Sequence, residues 1–231
     1  MSISIAHNYA AVRERMERAC ARAGRSLSGV RLVAVSKYVP VERMQEIYDL
    51  GIRCFGENHA QALREKQTFF EQGGCAVHFI GHLQTNKLKY VCGDVALIES
   101  VDRPELVEAL QKRSASIGIL SDVLIQINVG DEPQKGGVAV KELDAFVQTV
   151  ASRANLRLRG AMCVPPALPP EQTRPYFARM RELFERMRAA YPELPVDTLS
   201  MGMSHDFDVA IQEGATEVRV GSALFGARNQ K

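Results

Sequence analysis

The sequence contains no tryptophan, no hydrophobic run near the ~18 residues of a membrane-spanning helix, and no marked excess of either charge. Its 29 Lys and Arg nearly balance 27 Asp and Glu, which leaves a formal net charge of +2. We therefore expect neither a nucleic acid nor a membrane as a partner. The first 20 residues carry Glu14, Glu17 and several arginines where a signal peptide needs an apolar stretch, so we expect mature sequence there.

The cysteines are too few and too scattered for a disulfide framework. There are five, an odd number, and none forms a C-x-x-C pair of the kind that binds zinc. We expect free, mostly buried thiols and a reducing, cytoplasmic location. The cysteines are Cys20, Cys54, Cys75, Cys92 and Cys163.

Short β-branched segments alternate with amphipathic helical patterns along most of the 231 residues, of which 46% are hydrophobic. A leading helix over residues 1–24 comes first, with apolar residues at helical spacing from Tyr9 to Cys20 and a stop at Gly24. Eight apolar segments are then candidate strands. They are residues 30–38, 52–55, 77–80, 95–98, 123–129, 156–163, 198–201 and 218–220.

Eight strand-and-helix units close naturally into a barrel. With the leading helix set aside, about 26 residues remain for each unit, near the minimum for a strand, a helix and two loops. We predict a single α/β domain over residues 1–231, a (β/α)8 TIM barrel with an extra N-terminal helix. The alternative, a doubly wound open sheet, lacks the G-x-G-x-x-G fingerprint expected after its first strand. The prolines between residues 165 and 170 mark one long strand-to-helix connection in the barrel.

Functional side chains of such a barrel lie at the C-terminal ends of its strands. The first candidate strand ends in Ser36-Lys37-Tyr38, and strand alternation puts Lys37 on the same face as Val33 and Val35. If that face points inward, partial burial disfavours the charged ammonium and favours an amine that attacks a carbonyl carbon. A solvated lysine at a strand end is the simpler interpretation of Lys37 taken alone.

Polar residues also follow the second and third candidate strands. His78 and His82 share a strand face, but no acidic or histidine companion has a metal-ligand spacing. We therefore predict a hydrogen-bonded core or loop histidine there and no metal site. Asn58 and Asn86 sit where helices should begin, so N-capping is the simple interpretation of both.

Two small-residue turns near the C-terminus suggest a phosphate site. Ser200-Met-Gly-Met-Ser204 follows one strand, Arg219-Val-Gly-Ser222 ends the last one, and each precedes a helix. Glycine lets the backbone approach a ligand, and turns from the final strands are where barrels usually bind phosphate. Each turn alone is a weak signal, and an ordinary turn capped by Ser204 or Ser222 is its simpler interpretation. Together with an inward Lys37, the two turns suggest pyridoxal 5'-phosphate (PLP).

As a set, the motifs of the chain resemble those of the pyridoxal phosphate homeostasis protein family, whose members share the alanine-racemase-type barrel. The motifs are VAVSK at 33–37, FGEN at 55–58, HFIGHLQTNK at 78–87, LSMGMS at 199–204 with DF at 206–207, and VRVG at 218–221 with FG at 225–226. The resemblance covers essentially the whole chain from the leading helix onward. It implies the same barrel, PLP as cofactor and a non-catalytic role in vitamin B6 homeostasis.

The resemblance also implies roles for individual residues. Lys37 would hold PLP as an aldimine, and Arg219 would face the pyridine nitrogen. The phosphate contacts would come from Ser204, Gly221 and Ser222. Two weaker assignments, as neighbours of the ring, are Asn58 and Met201.

Carrier and enzyme remain as alternative functions. A carrier would buffer PLP and deliver it to apo PLP-dependent enzymes, whereas a racemase needs a second acid–base group, which in similar racemases is a tyrosine of an additional C-terminal β-domain. This sequence ends at Lys231, soon after Phe225-Gly226, so we expect no such domain and a monomer. A guanidinium such as Arg219 cannot accept the pyridinium proton and weakens the electron sink. We expect the carrier; an unrelated phosphate-binding barrel enzyme is the least favoured alternative.

Overall fold

Eight parallel strands form a closed barrel in the computed structural model, which describes residues 4–132 and 134–226. The strands are β1 (Arg31–Val35), β2 (Cys54–Glu57), β3 (Ala76–Phe79), β4 (Leu97–Val101), β5 (Ser121–Asn128), β7 (Leu156–Met162), β8 (Thr198–Met203) and β9 (Glu217–Val220), with a short β6 (Val138–Ala139) beside β5. Their order is β4-β3-β2-β1-β9-β8-β7-β5, and pairing of β4 with β5 closes the ring. The predicted barrel is confirmed.

Helices surround the barrel and cover its outward side chains. They are α1 (Ile5–Arg22), α2 (Val41–Asp49), α3 (Ala60–Gln72), α4 (Pro104–Ser116), α5 (Leu143–Ala151), α6 (Pro170–Ala190), α7 (Phe207–Gln212) and α8 (Ser222–Phe225). Ser4 caps α1 by accepting the His7 amide, and α1 packs against α7, α8 and α2. No helix of the described part of the chain combines the length and the apolar character that crossing a membrane requires.

Three local features differ from the sequence-based expectation. The connection between β3 and β4 contains a 3-10 helix, Thr85–Tyr90, where the alternating pattern predicted an α-helix. Only Leu88 of that segment is buried, so it lacks the apolar stripe that docks an α-helix on a sheet. Strand β4 begins two residues later than expected, and β6 is too short to leave a periodic pattern.

Glycine is required where β7 packs against β8. Gly160 pairs with Thr198, has φ +147°, and a Cβ built on it would lie 1.9 Å from the Thr198 carbonyl oxygen. A backbone oxygen in a central strand cannot move aside as a flexible side chain can. Any side chain at position 160 would therefore clash with the backbone of β8.

We expect Gly160→Ala to lower the free energy of unfolding by about 3 kcal/mol or more, or to prevent folding, because of this clash and the strained backbone. Gly29→Ala is the matched control, since a Cβ at Gly29 meets nothing within 4 Å. Urea unfolding of the three proteins measures the effect. Equal stability of the two variants would contradict the assignment.

Candidate functional site

A cavity of about 310 Å³ opens at the C-terminal end of the barrel, near the ends of β1, β8 and β9. Because β9 pairs with β1 on one side and with β8 on the other, residues from opposite ends of the sequence meet there. The polar lining consists of Lys37, Ser204, His205, Arg219 and Ser222. The rest of the lining is Val35, Val39, Ile80, Met203, Gly221, Phe225 and Gly226.

Lys37 follows the end of β1 and is half-buried. The residue before it, Ser36, is fixed from several sides. Its hydroxyl donates to Glu57 Oε1 at 2.7 Å, and its carbonyl oxygen accepts from Lys66 Nζ at 2.7 Å. Lys66 Nζ also donates to Glu57 Oε1 at 2.7 Å, and the Ser36 amide donates to the Gly56 carbonyl. The backbone that carries Lys37 into the cavity is therefore held by a buried ion pair.

Ser204 joins the two small-residue turns of the C-terminal third. Its Oγ accepts the amides of Gly221 at 3.1 Å and Ala223 at 3.2 Å, on either side of Ser222. Ser204 thus caps the first turn of α8 across space, whereas the helix that follows it in sequence, α7, has Asp206 as its N-cap residue. The N-cap residue of α8 is Gly221, so Ser222 is not a cap.

Arg219 is almost fully buried at the inner wall of the cavity, with 4% of its surface exposed. Its Nη1 donates to Ser200 Oγ at 2.6 Å, and its Nη2 donates to the Cys163 carbonyl oxygen at 2.7 Å. Ser200 Oγ donates in turn to Glu99 Oε2 at 2.6 Å. The guanidinium is therefore anchored inside the barrel, where it forms part of the inner wall of the cavity.

Comparison with known proteins gives a consistent match along the chain. Residues 4–229 match the family described as alanine racemase, N-terminal domain. A pyridoxal phosphate homeostasis protein of Aquifex aeolicus is 45% identical over 218 residues, which cover 94% of this chain and 95% of that protein. This chain belongs to the pyridoxal phosphate homeostasis protein family.

Solved structures agree with membership of this family. The structure of PipY from Synechococcus elongatus with PLP bound is 32% identical in sequence and has a TM-score of 0.81. The match covers 92% of this chain and 100% of that one. Alanine racemase from Corynebacterium glutamicum shares the fold, with a TM-score of 0.73 at 18% identity over 98% of this chain and 61% of that one. The resemblance predicted from the motifs is confirmed.

Five of the seven predicted site residues line the one cavity: Lys37, Ser204, Arg219, Gly221 and Ser222. Met201 does not, because it follows the inward Ser200 in β8 and its side chain is fully buried in the hydrophobic core. Its place beside a ligand ring stays a prediction. Asn58 lines a neighbouring cavity of about 170 Å³ together with Tyr90, and it does not cap α3, whose N-cap residue is His59.

Sequence reasoning missed the apolar walls of the cavity and His205. The apolar walls come from the ends of β1 and β8, from α8 and from the connections after β1 and β3, which meet only in the folded barrel. His205 is a side chain of the turn between β8 and α7. The motif MGMS ended one residue short of it. Reading one residue further along that turn could have found this side chain.

A buried cluster of charged groups lies inside the barrel next to Ser200. His78 Nδ1 is 2.9 Å from Glu99 Oε1 and 3.1 Å from Glu217 Oε1, and all three residues are at most 2% exposed. The prediction of a hydrogen-bonded core histidine is confirmed for His78. Its partners were missed because they lie 21 and 139 residues away in the sequence. His82 is exposed, and its Nδ1 is 3.7 Å from Asp102 Oδ2.

The cluster shifts the pKa of each member. Burial lowers the pKa of His78, but the Glu217 charge, the Cys54 thiol and Glu99 outweigh it and place that pKa well above 6.5. Burial raises the pKa of Glu99, yet His78 and Arg219 outweigh it and bring that pKa to about 2. Burial and the Glu99 charge together raise the pKa of Glu217. These shifts favour a protonated His78 beside an ionised Glu99.

We expect Glu99→Gln to reveal this ionisation as an acid-dependent loss of stability. Because the Glu99 pKa is lower in the folded protein, its ionised form stabilises the fold above about pH 4.5, and this contribution is lost as the pH falls towards 2. The free energy of unfolding of the wild type should exceed that of Glu99→Gln by on the order of 3 kcal/mol near pH 7. Below pH 4.5 the difference should shrink steadily.

Urea unfolding between pH 7 and pH 3 measures this difference. Glu14→Gln, at an exposed carboxylate paired with Arg18 on α1, is the control and should change the stability little at any pH. A wild-type advantage over Glu99→Gln that stays constant down to pH 3 would show that Glu99 is not held ionised by its neighbours.

Proposed function

We propose that the chain binds PLP in the C-terminal cavity, attached to Lys37, and acts as a carrier that buffers PLP and delivers it to apo PLP-dependent enzymes. It does so without turnover of amino acids. The observation that carries the proposal is that a lysine amine and two joined small-residue turns line one cavity. The PLP-bound structure of PipY and the name of the Aquifex aeolicus relative support it.

The cavity fits a single small aromatic ligand with an anionic arm. Its volume of about 310 Å³ is at the lower end of the range for small-molecule pockets. The walls offer aliphatic and aromatic side chains for a flat ring. A Cβ built on Gly221 would lie 3.3 Å from Val35 Cβ, so glycine lets the end of β9 pack closely against β1. The polar groups stand at separate places in the wall, as a ring with several different substituents requires.

Lys37 supplies the amine that retains the ligand. Bound PLP supplies an aldehyde, which condenses reversibly with a primary amine. The ion pair of Glu57 and Lys66 behind Ser36 fixes the backbone next to Lys37, so the amine is directed into the cavity from a rigid position. A reversible bond to a well-placed lysine both retains the cofactor and permits its transfer.

The turns of Ser204 and Gly221-Ser222 supply the phosphate site in this proposal. Ser204 Oγ bonds the amides of Gly221 and Ala223 and so fixes the two turns to each other. Because Ser204 Oγ accepts both amides, its own hydroxyl proton can be donated to an anion, and the amide and hydroxyl of Ser222, which lies between the two bonded amides, can add further donors. The phosphate would then determine which end of the ligand lies near β8 and β9.

Arg219 argues for binding rather than for chemistry on the ring. A guanidinium donates hydrogen bonds only, so at a pyridine nitrogen it favours the unprotonated ring. Such a ring is a poor electron sink, and transamination and decarboxylation depend on a good one. The same residue still helps to orient the ring within the cavity.

A racemase is the second candidate function, and His205 is the observation that favours it. Racemisation needs acid–base groups on two faces of the substrate, and His205 lines the cavity together with Lys37. The tyrosines are less suitable. Tyr38 is 68% exposed with its hydroxyl 2.8 Å from His59 Nε2, and Tyr90 lines the neighbouring cavity.

We further propose that the chain works as a single domain and as a monomer in the cytoplasm. The closed barrel includes strands from near both ends of the described residues, which supports one folding unit. All five cysteines are free, as a reducing compartment would leave them. Size-exclusion chromatography with light scattering tests the oligomeric state.

Borohydride reduction of the PLP-loaded protein should fix the cofactor on Lys37. Lys37→Ala should lose the visible absorption band and the label, because the retaining amine is gone. Lys87→Ala is the matched control and should keep both. Peptide mapping by mass spectrometry identifies the labelled residue, and a label on Lys87 or Lys135 of the wild type would refute the assignment.

Removal of the ligand phosphate should weaken binding by about tenfold or more, because charge-assisted hydrogen bonds to the turns are lost. We expect pyridoxal to bind the wild type more weakly than PLP. Gly221→Asp should remove this preference, since a carboxylate would stand near the anion. Gly29→Asp, at the opposite end of the barrel, is the control. Equal affinities of the wild type for PLP and pyridoxal, measured by fluorescence titration, would rule out this phosphate site.

The carrier and racemase hypotheses predict different results with amino acids. PLP-loaded protein incubated with L- or D-alanine in deuterated water should show no α-deuterium incorporation at enzymatic rates of ~1 s⁻¹. The same protein should activate an apo PLP-dependent enzyme. Racemisation at such rates that disappears in His205→Ala would establish the racemase, and failure to activate the apoenzyme would contradict delivery.

A further inference from the structure

Inward-facing polar residues form a continuous hydrogen-bonded chain inside the barrel, where branched apolar side chains usually fill the space. It runs from Glu217 through His78, Glu99 and Ser200 to Arg219. Each member is at most 4% exposed. Burying several charges is costly unless they are paired, so this arrangement calls for a reason beyond stability.

The direction of each hydrogen bond at Ser200 follows from the chemistry of its partners. A guanidinium only donates, so Ser200 Oγ accepts from Arg219 Nη1. The single hydroxyl proton is then donated to Glu99 Oε2. Ser200 therefore links a fixed cation to a fixed anion, and Glu99 Oε2 stands only 3.7 Å from Arg219 Nη1.

The second anchor of Arg219 fixes the plane of its guanidinium. Nη2 donates to the Cys163 carbonyl at the end of β7, while Nη1 donates to Ser200 in β8. Two bonds to two neighbouring strands prevent rotation of the planar group about its long axis. On the far side of Glu99, His78 Nδ1 holds the other carboxylate oxygen, so the anion cannot turn away from Ser200.

We propose that Glu99 and Ser200 are positioning residues that lock the Arg219 guanidinium against the cavity and thereby keep the ring nitrogen of a bound cofactor unprotonated. The effect on the ring nitrogen rests on the proposed function, whereas fixation of the guanidinium by Ser200 and Glu99 does not. Without the lock, the guanidinium loses its fixed plane, and water can reach and protonate the ring nitrogen. The buried chain is then a device that determines the electronic state of the cofactor.

The first test uses the cofactor-free protein with 15N-labelled arginine. Rotation of the Arg219 guanidinium about the bond between Nε and Cζ should be slow in the wild type and clearly faster in Ser200→Ala, and Arg219→Lys assigns the signal. Ser114→Ala is the matched control, because Ser114 is equally buried and bonds Ser121 far from the cavity. It should leave the signal unchanged even if it lowers the melting temperature. Unchanged rotation in Ser200→Ala would overturn the lock.

The second test uses PLP labelled with 15N in its ring. The wild type should show an unprotonated nitrogen from pH 6 to pH 8, whereas Ser200→Ala should titrate within that range and bind PLP about tenfold more weakly. Glu99→Gln keeps an acceptor for the Ser200 hydroxyl, and we expect it to give an intermediate result. A nitrogen signal in Ser200→Ala identical to that of the wild type would overturn the inference. Failure of the wild type to bind PLP would instead refute the proposed function and leave the rotation result standing.

Discussion

Pairing of the first strand with the last is the interaction on which the site depends. Strands β1 and β9 run parallel in register from Arg31 and Glu217 to Ala34 and Val220. This pairing brings the segment after β1 next to the turn after β9. Without it, Lys37 and the turn at Gly221-Ser222 would be remote in space as they are in sequence. The cavity is therefore a consequence of the pairing between strands from opposite ends of the sequence.

Several charged groups are buried inside the barrel. A layer of apolar side chains would fill the same volume at a lower electrostatic cost. Instead His78 is hydrogen-bonded to both Glu99 and Glu217. Ser200 is hydrogen-bonded to both Glu99 and Arg219 and so links this cluster to the guanidinium. A separate small apolar cluster is formed by Leu97, Leu124 and Met162. The polar members lie on β3, β4, β8 and β9, and the hydrogen-bonded chain ends at Arg219, whose guanidinium lines the cavity.

The residues that line the cavity differ in how firmly their side chains are held. Arg219 and the Ser204 turn are held by short bonds to backbone and buried side chains. Lys37 has a fixed backbone but a half-buried side chain on a turn, next to the exposed Tyr38 at φ +62°. In the proposed carrier, this arrangement would let fixed groups orient the ligand while a reversible bond to Lys37 retains it.

The sequence by itself determined the barrel, and it indicated Lys37 and the two small-residue turns as candidate site residues. These depend on local patterns: alternation within strands, helical stripes, and glycine and serine at strand ends, all of which arise from short-range backbone geometry. Where the side chains of Asn58, Met201 and His78 lie was decided only by the tertiary structure. The Met201 side chain lies in the main hydrophobic core, because its neighbour Ser200 faces the inside of the barrel. The carboxylates that contact His78 belong to residues 21 and 139 positions away in the sequence. Closure of the sheet sets these contacts, and no local pattern records which strands it brings together.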